Sequence, residues 1–211
     1  MNNWETELKA GLEKIGQPYT EEQIAQLVKF AGLLQRWNKV YNLTAIRDDR
    51  EILTHHLLDS ATLVPYVASI APNAKAVLDV GSGGGLPSIP LAILRPDLQV
   101  TAVDAVKKKT AFLTQAAIDL GLRNYRAEHK RVETMKGAYD VITSRAFASL
   151  ELFTELTHTL VAPEGVWLAM KGQNPEKEMT SLPYAKVVET IVLDVPGLDE
   201  ERHLVVMKPV D

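Results

Sequence analysis

The sequence predicts an α/β fold, a mostly parallel doubly wound sheet preceded by a helical extension. Two observations carry this. From Ala76 onward short apolar runs alternate with amphipathic ones, the signature of parallel strands joined by right-handed helical crossovers. Within that region, Ala76-Val77-Leu78-Asp79-Val80-Gly81-Ser82-Gly83-Gly84-Gly85-Leu86 opens as a strand, breaks into a glycine turn and continues as a helix over 86–94. Such folds build their ligand site beyond the carboxyl ends of the strands, where a turn of this kind lies.

Taken in order, residues 1–71 read as helical. Leu8, Leu12 and Ile15 lie at helical spacing, and Gly16 with Pro18 ends that segment. Thr20-Glu21-Glu22-Gln23 has the form of a capping box, and Ile24, Leu27, Val28, Phe30, Leu33, Leu34 and Trp37 then form an apolar face. Asp48 is expected to cap a third helix carrying His55, His56, Asp59 and Ser60. Pro72-Asn73 marks the boundary, so 1–71 is expected to be a helical extension and 72–211 the sheet-bearing core of a single domain. Pro87 and Pro90 suit the first turn of the helix after the glycines, where proline removes only N–H groups that lack helical partners. A second strand over 98–103 ends at Asp104, and a helix over 107–120 stops at Gly121. Strands follow over 125–128, 139–144 and 165–171, with a helix around 150–160. The runs 185–193 and 202–208, joined through Pro196-Gly197, are expected to close the sheet with an antiparallel edge.

Composition narrows the function classes. The 211 residues carry a net charge of −4, so any contact with nucleic acid must come from a local basic patch. There is no cysteine, which excludes disulfides and thiolate metal sites and fits a cytoplasmic protein. No apolar run is long enough to span a bilayer, and no His/Asp/Glu cluster suggests a metal, so neither membrane nor metal is expected.

The details of the turn select the ligand. A dinucleotide fingerprint G-x-G-x-x-G would need its third glycine where Leu86 stands. Instead Gly81, Gly83 and Gly85 alternate, with Asp79 two residues before the first. That D-x-G-x-G-x-G pattern resembles motif I of the class I methyltransferases, whose Rossmann-like sheet binds S-adenosylmethionine. A carboxylate there would repel a pyrophosphate and attract the ammonium of the methionine moiety. Asp104, at the end of the next strand, stands about twenty residues on, the distance expected of an acid holding ribose hydroxyls.

The resemblance then becomes closer than a fold class. Trp37-Asn38-Lys39, Asn42-Leu43-Thr44-Ala45-Ile46, His56-Leu57-Leu58-Asp59-Ser60, Gly81 to Leu91, Arg145-Ala146-Phe147-Ala148-Ser149-Leu150 and Ala169-Met170-Lys171-Gly172 resemble the RsmG (glucose-inhibited division protein B) family across nearly the whole chain. Its members are bacterial enzymes that methylate N7 of a guanine in small-subunit (16S) ribosomal RNA. The resemblance implies the cofactor S-adenosylmethionine, held by Asp79, Gly81, Gly83, Gly85, Leu86, Asp104, Val132, Glu133 and Arg145. It also implies substrate contacts from Asn42, Thr44, His56 and Arg145, with small-subunit RNA or the assembling particle as partner. Lys171, ending a strand on the active face, is a candidate for contact with a substrate phosphate. Ser88 stands where many members have glycine, and a packing change without loss of cofactor binding is expected there.

N7 of guanine carries a free lone pair, so attack on a sulfonium methyl needs no general base, and no catalytic residue is assigned. From the residues alone, other readings stay open. Leu86 could be plain core, Glu133 a solvated surface acid and His56 a satisfied structural histidine. Lys107, Lys108, Lys109, Arg123, Arg126, Lys130, Arg131 and Lys136 form either an RNA patch or a solvated helix face. The alternative activities are a small-molecule or protein methyltransferase of the same fold and, more distantly, a nucleotide-binding module without catalysis.

Overall fold

Alternation along the strands divides the apolar side chains between two faces, and the chain folds around that division. A computed structural model describes residues 3–211. The helical extension contains α1 (Trp4–Ile15), α2 (Glu21–Tyr41), α3 (Asp49–Glu51), a π-helical stretch Ile52–Leu58, α4 (Asp59–Ala61) and α5 (Leu63–Ile70). After it come β1 (Ala76–Val80), α6 (Ser88–Leu94), β2 (Gln99–Asp104), α7 (Lys107–Asp119), β3 (Tyr125–His129), β4 (Tyr139–Arg145), α8 (Leu150–Thr157), β5 (Val161–Lys171), β6 (Ala185–Val192) and β7 (His203–Pro209).

The strands form one sheet in the order β3-β2-β1-β4-β5-β7-β6. β1 to β5 are parallel, and β7 enters antiparallel beside β5 with β6 beyond it, the antiparallel edge the tail sequence predicts. Val77, Val100, Val141, Val166 and Leu168 pack with α2, α6 and α7 on one face. Leu78, Val80, Val103, Ile142, Trp167 and Ala169 pack with Leu150 and Phe153 of α8 on the other.

Local chemistry sets the helix ends. The Thr20 hydroxyl accepts from the Gln23 amide while the Gln23 side chain accepts from the Thr20 amide, so the expected capping box starts α2. Burying Leu27, Phe30 and Leu34 of α2 completely contributes roughly 1.5–3 kcal/mol per side chain. Asp48 caps the third helical segment through the amides of Arg50 and Glu51, as expected. That segment then widens into the π-helical stretch, a form common at functional sites. The glycine turn keeps residues 81–87 out of α6, which starts at Ser88 with Pro87 as its cap and not as its first turn. Asp79, Thr143 and Arg145 share the face of the helical extension with Val77 and Val141, whereas Lys171 shares the α8 face with Trp167 and Ala169.

Candidate functional site

The carboxyl ends of β1, β2 and β4, with the turn after β3, frame a groove of about 520 Å³. Gly81, Asp104, Lys109, Val132, Glu133 and Phe147 line it, over a floor of Val80 and Val103. Gly81 has φ +67, and a Cβ on it would fall 2.5 Å from Cδ2 of Phe147, so the backbone is bare where the ring closes over it. Asp104 is nearly buried, and its Oδ2 accepts from the Gly83 amide at 2.9 Å while Oδ1 accepts from the Val106 amide at 2.8 Å. One carboxylate thus ties the glycine turn to the start of α7, and its remaining lone pairs border the groove. Val132 is buried in a short turn, and Glu133 stands beside it, half-exposed, 3.9 Å from Arg131.

The other members of the expected cofactor set do not line the groove. Asp79 is completely buried beneath the turn, where Oδ2 accepts from the Ser82 hydroxyl at 2.8 Å. Its Oδ1 is buried without a hydrogen-bond partner among the described residues. Burial pushes its carboxyl up to about 7, against the opposing pull of the Ser82 and Ser88 hydroxyls. Gly85 has φ +85 and faces Ile89 and Leu113, and Leu86 is buried, so both shape the turn from the core side.

Arg145 also lies outside the groove, because alternation along β4 turns it toward the helical extension. Its Nη1 donates to the His55 carbonyl at 2.7 Å and to Asp59 Oδ2 at 2.9 Å, and its Nη2 donates to His56 Nδ1 at 3.0 Å. An arginine can only donate, so Nδ1 of His56 accepts and its proton sits on Nε2, which donates to Thr44 Oγ1 at 2.7 Å. Burial, then the Arg145 charge, push His56 down to about 3, consistent with a neutral ring. Arg202 Nε stands 3.5 Å from Asp59 Oδ1, so a buried carboxylate joins two arginines.

The structure therefore brings Thr44, His56 and Arg145 together and separates Asn42 and Lys171 from them. Asn42 is exposed, with φ 50 at the end of α2, and accepts from Arg47 at 2.5 Å. Lys171, expected as a substrate contact, is held by partners of its own. Its Nζ donates to the Ala148 carbonyl and lies 3.0 Å from Glu178, on the opposite face of the sheet from Arg145. The expected basic patch divides as well. Lys109, Lys130 and Arg131 border the groove, whereas Arg123 and Lys136 lie with Gln99 at the amino ends of the strands, since Arg123 precedes β3 and Lys130 follows it.

Sequence reasoning missed Asp59, Arg202, Asn38 and Phe147 as parts of the site. Asp59 had a signal, an acid inside the apolar run Leu57-Leu58-Asp59-Ser60-Ala61. Asn38 is buried and pins the following loop, accepting from the Thr44 amide and donating to the Ile46 carbonyl. Phe147 follows Ala146, whose φ of +52 is strained for a residue with a Cβ and aims the ring back over Gly81.

Residues 23–205 match the family model described as rRNA small subunit methyltransferase G. A protein of Ralstonia nicotianae named ribosomal RNA small subunit methyltransferase G is 52% identical over 211 residues, covering 97% of this chain and 95% of its own. One of the same name from Neisseria gonorrhoeae is 50% identical over 202 residues, with 95% and 96% covered. Among solved structures, magnesium protoporphyrin IX methyltransferase from Synechocystis with bound SAM is similar at TM-score 0.62 and 16% identity, covering 90% of this chain and 98% of that one. TrmN from Thermus thermophilus is similar at TM-score 0.56 and 19% identity, covering 75% and 53%. Those two likenesses are of fold alone.

Proposed function

Because the chain belongs to the rRNA small subunit methyltransferase G family, we propose that it transfers a methyl group from S-adenosylmethionine to N7 of one guanine in small-subunit ribosomal RNA. The observation that carries this reading at the site is the groove between Gly81, Asp104 and Val132, a bare backbone cradle beside an acid and an apolar wall. When bound, S-adenosylmethionine supplies an electrophilic methyl on a sulfonium.

Asp104 offers acceptor lone pairs for ribose hydroxyls, and Val132 an apolar surface for adenine, with Glu133 at its rim. Gly81 lets the backbone approach, and Asp79 holds the turn from below through Ser82. N7 attacks with its own lone pair, so no side chain takes a proton in the transfer. The chain's contribution is alignment, which can supply ~7–11 kcal/mol of rate acceleration. Arg145 positions: it locks His56 and Thr44 of the helical extension to the end of β4, forming a rigid wall beside the Ala146–Phe147 turn. A cation at N7 itself would oppose the charge developing on guanine, and the bonds of Arg145 keep it from that place. Residues 1–71 act as the cap that carries this wall.

Phosphate contacts come from Lys107, Lys108, Lys109, Lys130 and Arg131, the basic residues at the carboxyl edge. The chain works in the cytoplasm, and no helix among the described residues is long and apolar enough to cross a membrane. Shape of the folded RNA or of the assembling particle supplies selectivity, so protein-free RNA is expected to be a poor substrate. The test offers labelled methyl donor with ribosomal RNA, small-subunit particles and free guanine nucleotides. N7-methylguanine in either RNA form, with a log–log salt slope reduced by roughly 0.7–0.9 for each lysine removed, is the expected result. Efficient methylation of nucleotides with none of either RNA form would overturn it.

A further inference from the structure

Helix α2 ends in an aromatic shelf that neither the groove nor the Arg145 network uses. Trp37 and Tyr41, one turn apart, have ring centroids 5.2 Å apart and tilted by 33°. Trp37 packs on Phe112 of α7 at 5.4 Å, and Phe112 is fully buried, so the shelf is anchored from below. Its outer part is open: Tyr41 is 40% exposed and the adjacent Val40 69%.

The surroundings of the shelf are basic. α2 and α7 run antiparallel, since Gln26 and Lys29 bond to the carbonyls of Leu120 and Asp119 at the end of α7, while Trp37 meets Phe112 nearer its start. The next turn of α2, which carries Tyr41, therefore lies toward Lys107, Lys108 and Lys109. Those lysines and Lys39 pair with no carboxylate among the described residues, in contrast to Lys130 and Arg126, which share Glu128. Lys109 also borders the groove. The chain leaves the shelf through Asn42, at φ 50, and two residues later Thr44 bonds His56 of the Arg145 network.

An exposed aromatic ring beside unneutralised ammonium groups matches a ligand that presents a flat apolar face and phosphates together, which is unpaired RNA. We propose that Tyr41, backed by Trp37, stacks against an unpaired base of the RNA flanking the target guanine, while Lys107, Lys108 and Lys109 hold the adjoining phosphates. This deepens the RNA-methylation reading and rests on it.

The test compares Tyr41→Phe, which keeps a stacking ring, with Tyr41→Leu, which keeps apolar bulk without one, in the full chain. Anisotropy with a fluorescein-labelled single-stranded RNA 12-mer should give a Kd within about twofold of wild type for the first and raised about fivefold or more for the second. On the methylated RNA form, the leucine variant should show a raised KM with kcat retained, and unchanged affinity for S-adenosylmethionine. A purely structural tyrosine would instead shift the melting midpoint and leave both RNA readouts alone. Should Tyr41→Leu prove unstable, photo-crosslinking of wild type to 4-thiouridine RNA decides, with a crosslink in residues 37–42 expected and its absence overturning the shelf. Wild-type RNA methylation together with unchanged RNA binding by Tyr41→Leu would overturn this inference alone. Failure of wild type on every RNA form would overturn the reading beneath it.

Discussion

Arg145 and Lys171 end neighbouring parallel strands at the same edge of the sheet, yet they belong to different regions of the molecule. Arg145 turns to the helical extension and joins His55, His56 and Asp59, while Lys171 turns to α8 and clamps the loop at Ala148 against Glu178. The register pairs Arg145 with Met170, so the two cations are offset by one residue and point to opposite faces. Two residues at the carboxyl ends of adjacent strands can therefore join different networks. The parity of each position decides which set of partners it meets. The same rule separates the groove, floored by Val80 and Val103, from the network built on Arg145.

The comparison is broken most severely at Asp59. Asp59→Ala leaves the partly buried Arg145 without its carboxylate, and a broken buried pair costs about 3–5 kcal/mol. Urea denaturation should show a loss of that size, with Arg202 losing its contact to Asp59 while keeping Glu200. A loss below about 1 kcal/mol would mean that solvent replaces the carboxylate, and that the network is not a structural joint.

Next in size is a pair of variants that should separate the two regions by function. Gly81→Ala forces a Cβ into Phe147 at a positive φ, with about 1–2 kcal/mol of backbone strain before any repacking. It should weaken S-adenosylmethionine binding in calorimetry. Arg145→Lys keeps the charge but loses the planar fork that serves three acceptors, so methyl transfer should fall about tenfold or more while cofactor affinity holds. Loss of cofactor binding in Arg145→Lys would put Arg145 in the groove after all.

A smaller effect distinguishes the two regions by pH. His56 titrates near 3 in the folded protein against an ordinary value of 6.5, so between those limits the unfolded chain holds more protons there and stability rises with pH. Asp79 titrates near 7 against 3.8, so the folded chain holds more protons and stability falls as pH rises through that window. His56→Gln should gain on wild type as pH drops from 6.5, and Asp79→Asn should gain as pH rises from 4 to 7. Each slope is at most about 1.4 kcal/mol per pH unit. Parallel curves for either variant and wild type, by urea denaturation across this range, would remove that group from the account.

The smallest effect sharpens the comparison within the groove's own foundation. Ser88 bonds Tyr125 at 2.9 Å, both buried, below the glycine turn. Ser88→Gly should cost about 0.5–1.5 kcal/mol for the lost hydrogen bond and leave cofactor affinity unchanged in calorimetry. A large drop in affinity would show that this layer tunes the turn through Asp79.

Much of this protein was determined by short stretches of sequence alone. The alternating glycines, the capping box at Thr20, the cap at Asp48 and the apolar strands are local signals, because turn geometry and helix ends depend on residues three or four apart. The strand ends that carry Asp104 and Arg145 were legible for the same reason. Long-range pairing was not. Nothing near Asp59 in sequence announces Arg145, 86 residues away, or Arg202, in the loop just before β7. Nor did residue type reveal that Lys171 faces α8, that Asp79 lies sealed beneath the turn, or that the basic cluster splits between the two ends of β3. Only the packed structure decided these, because a charge settles where burial leaves it a partner, and the partners here come from segments that meet only when the helical extension closes on the sheet.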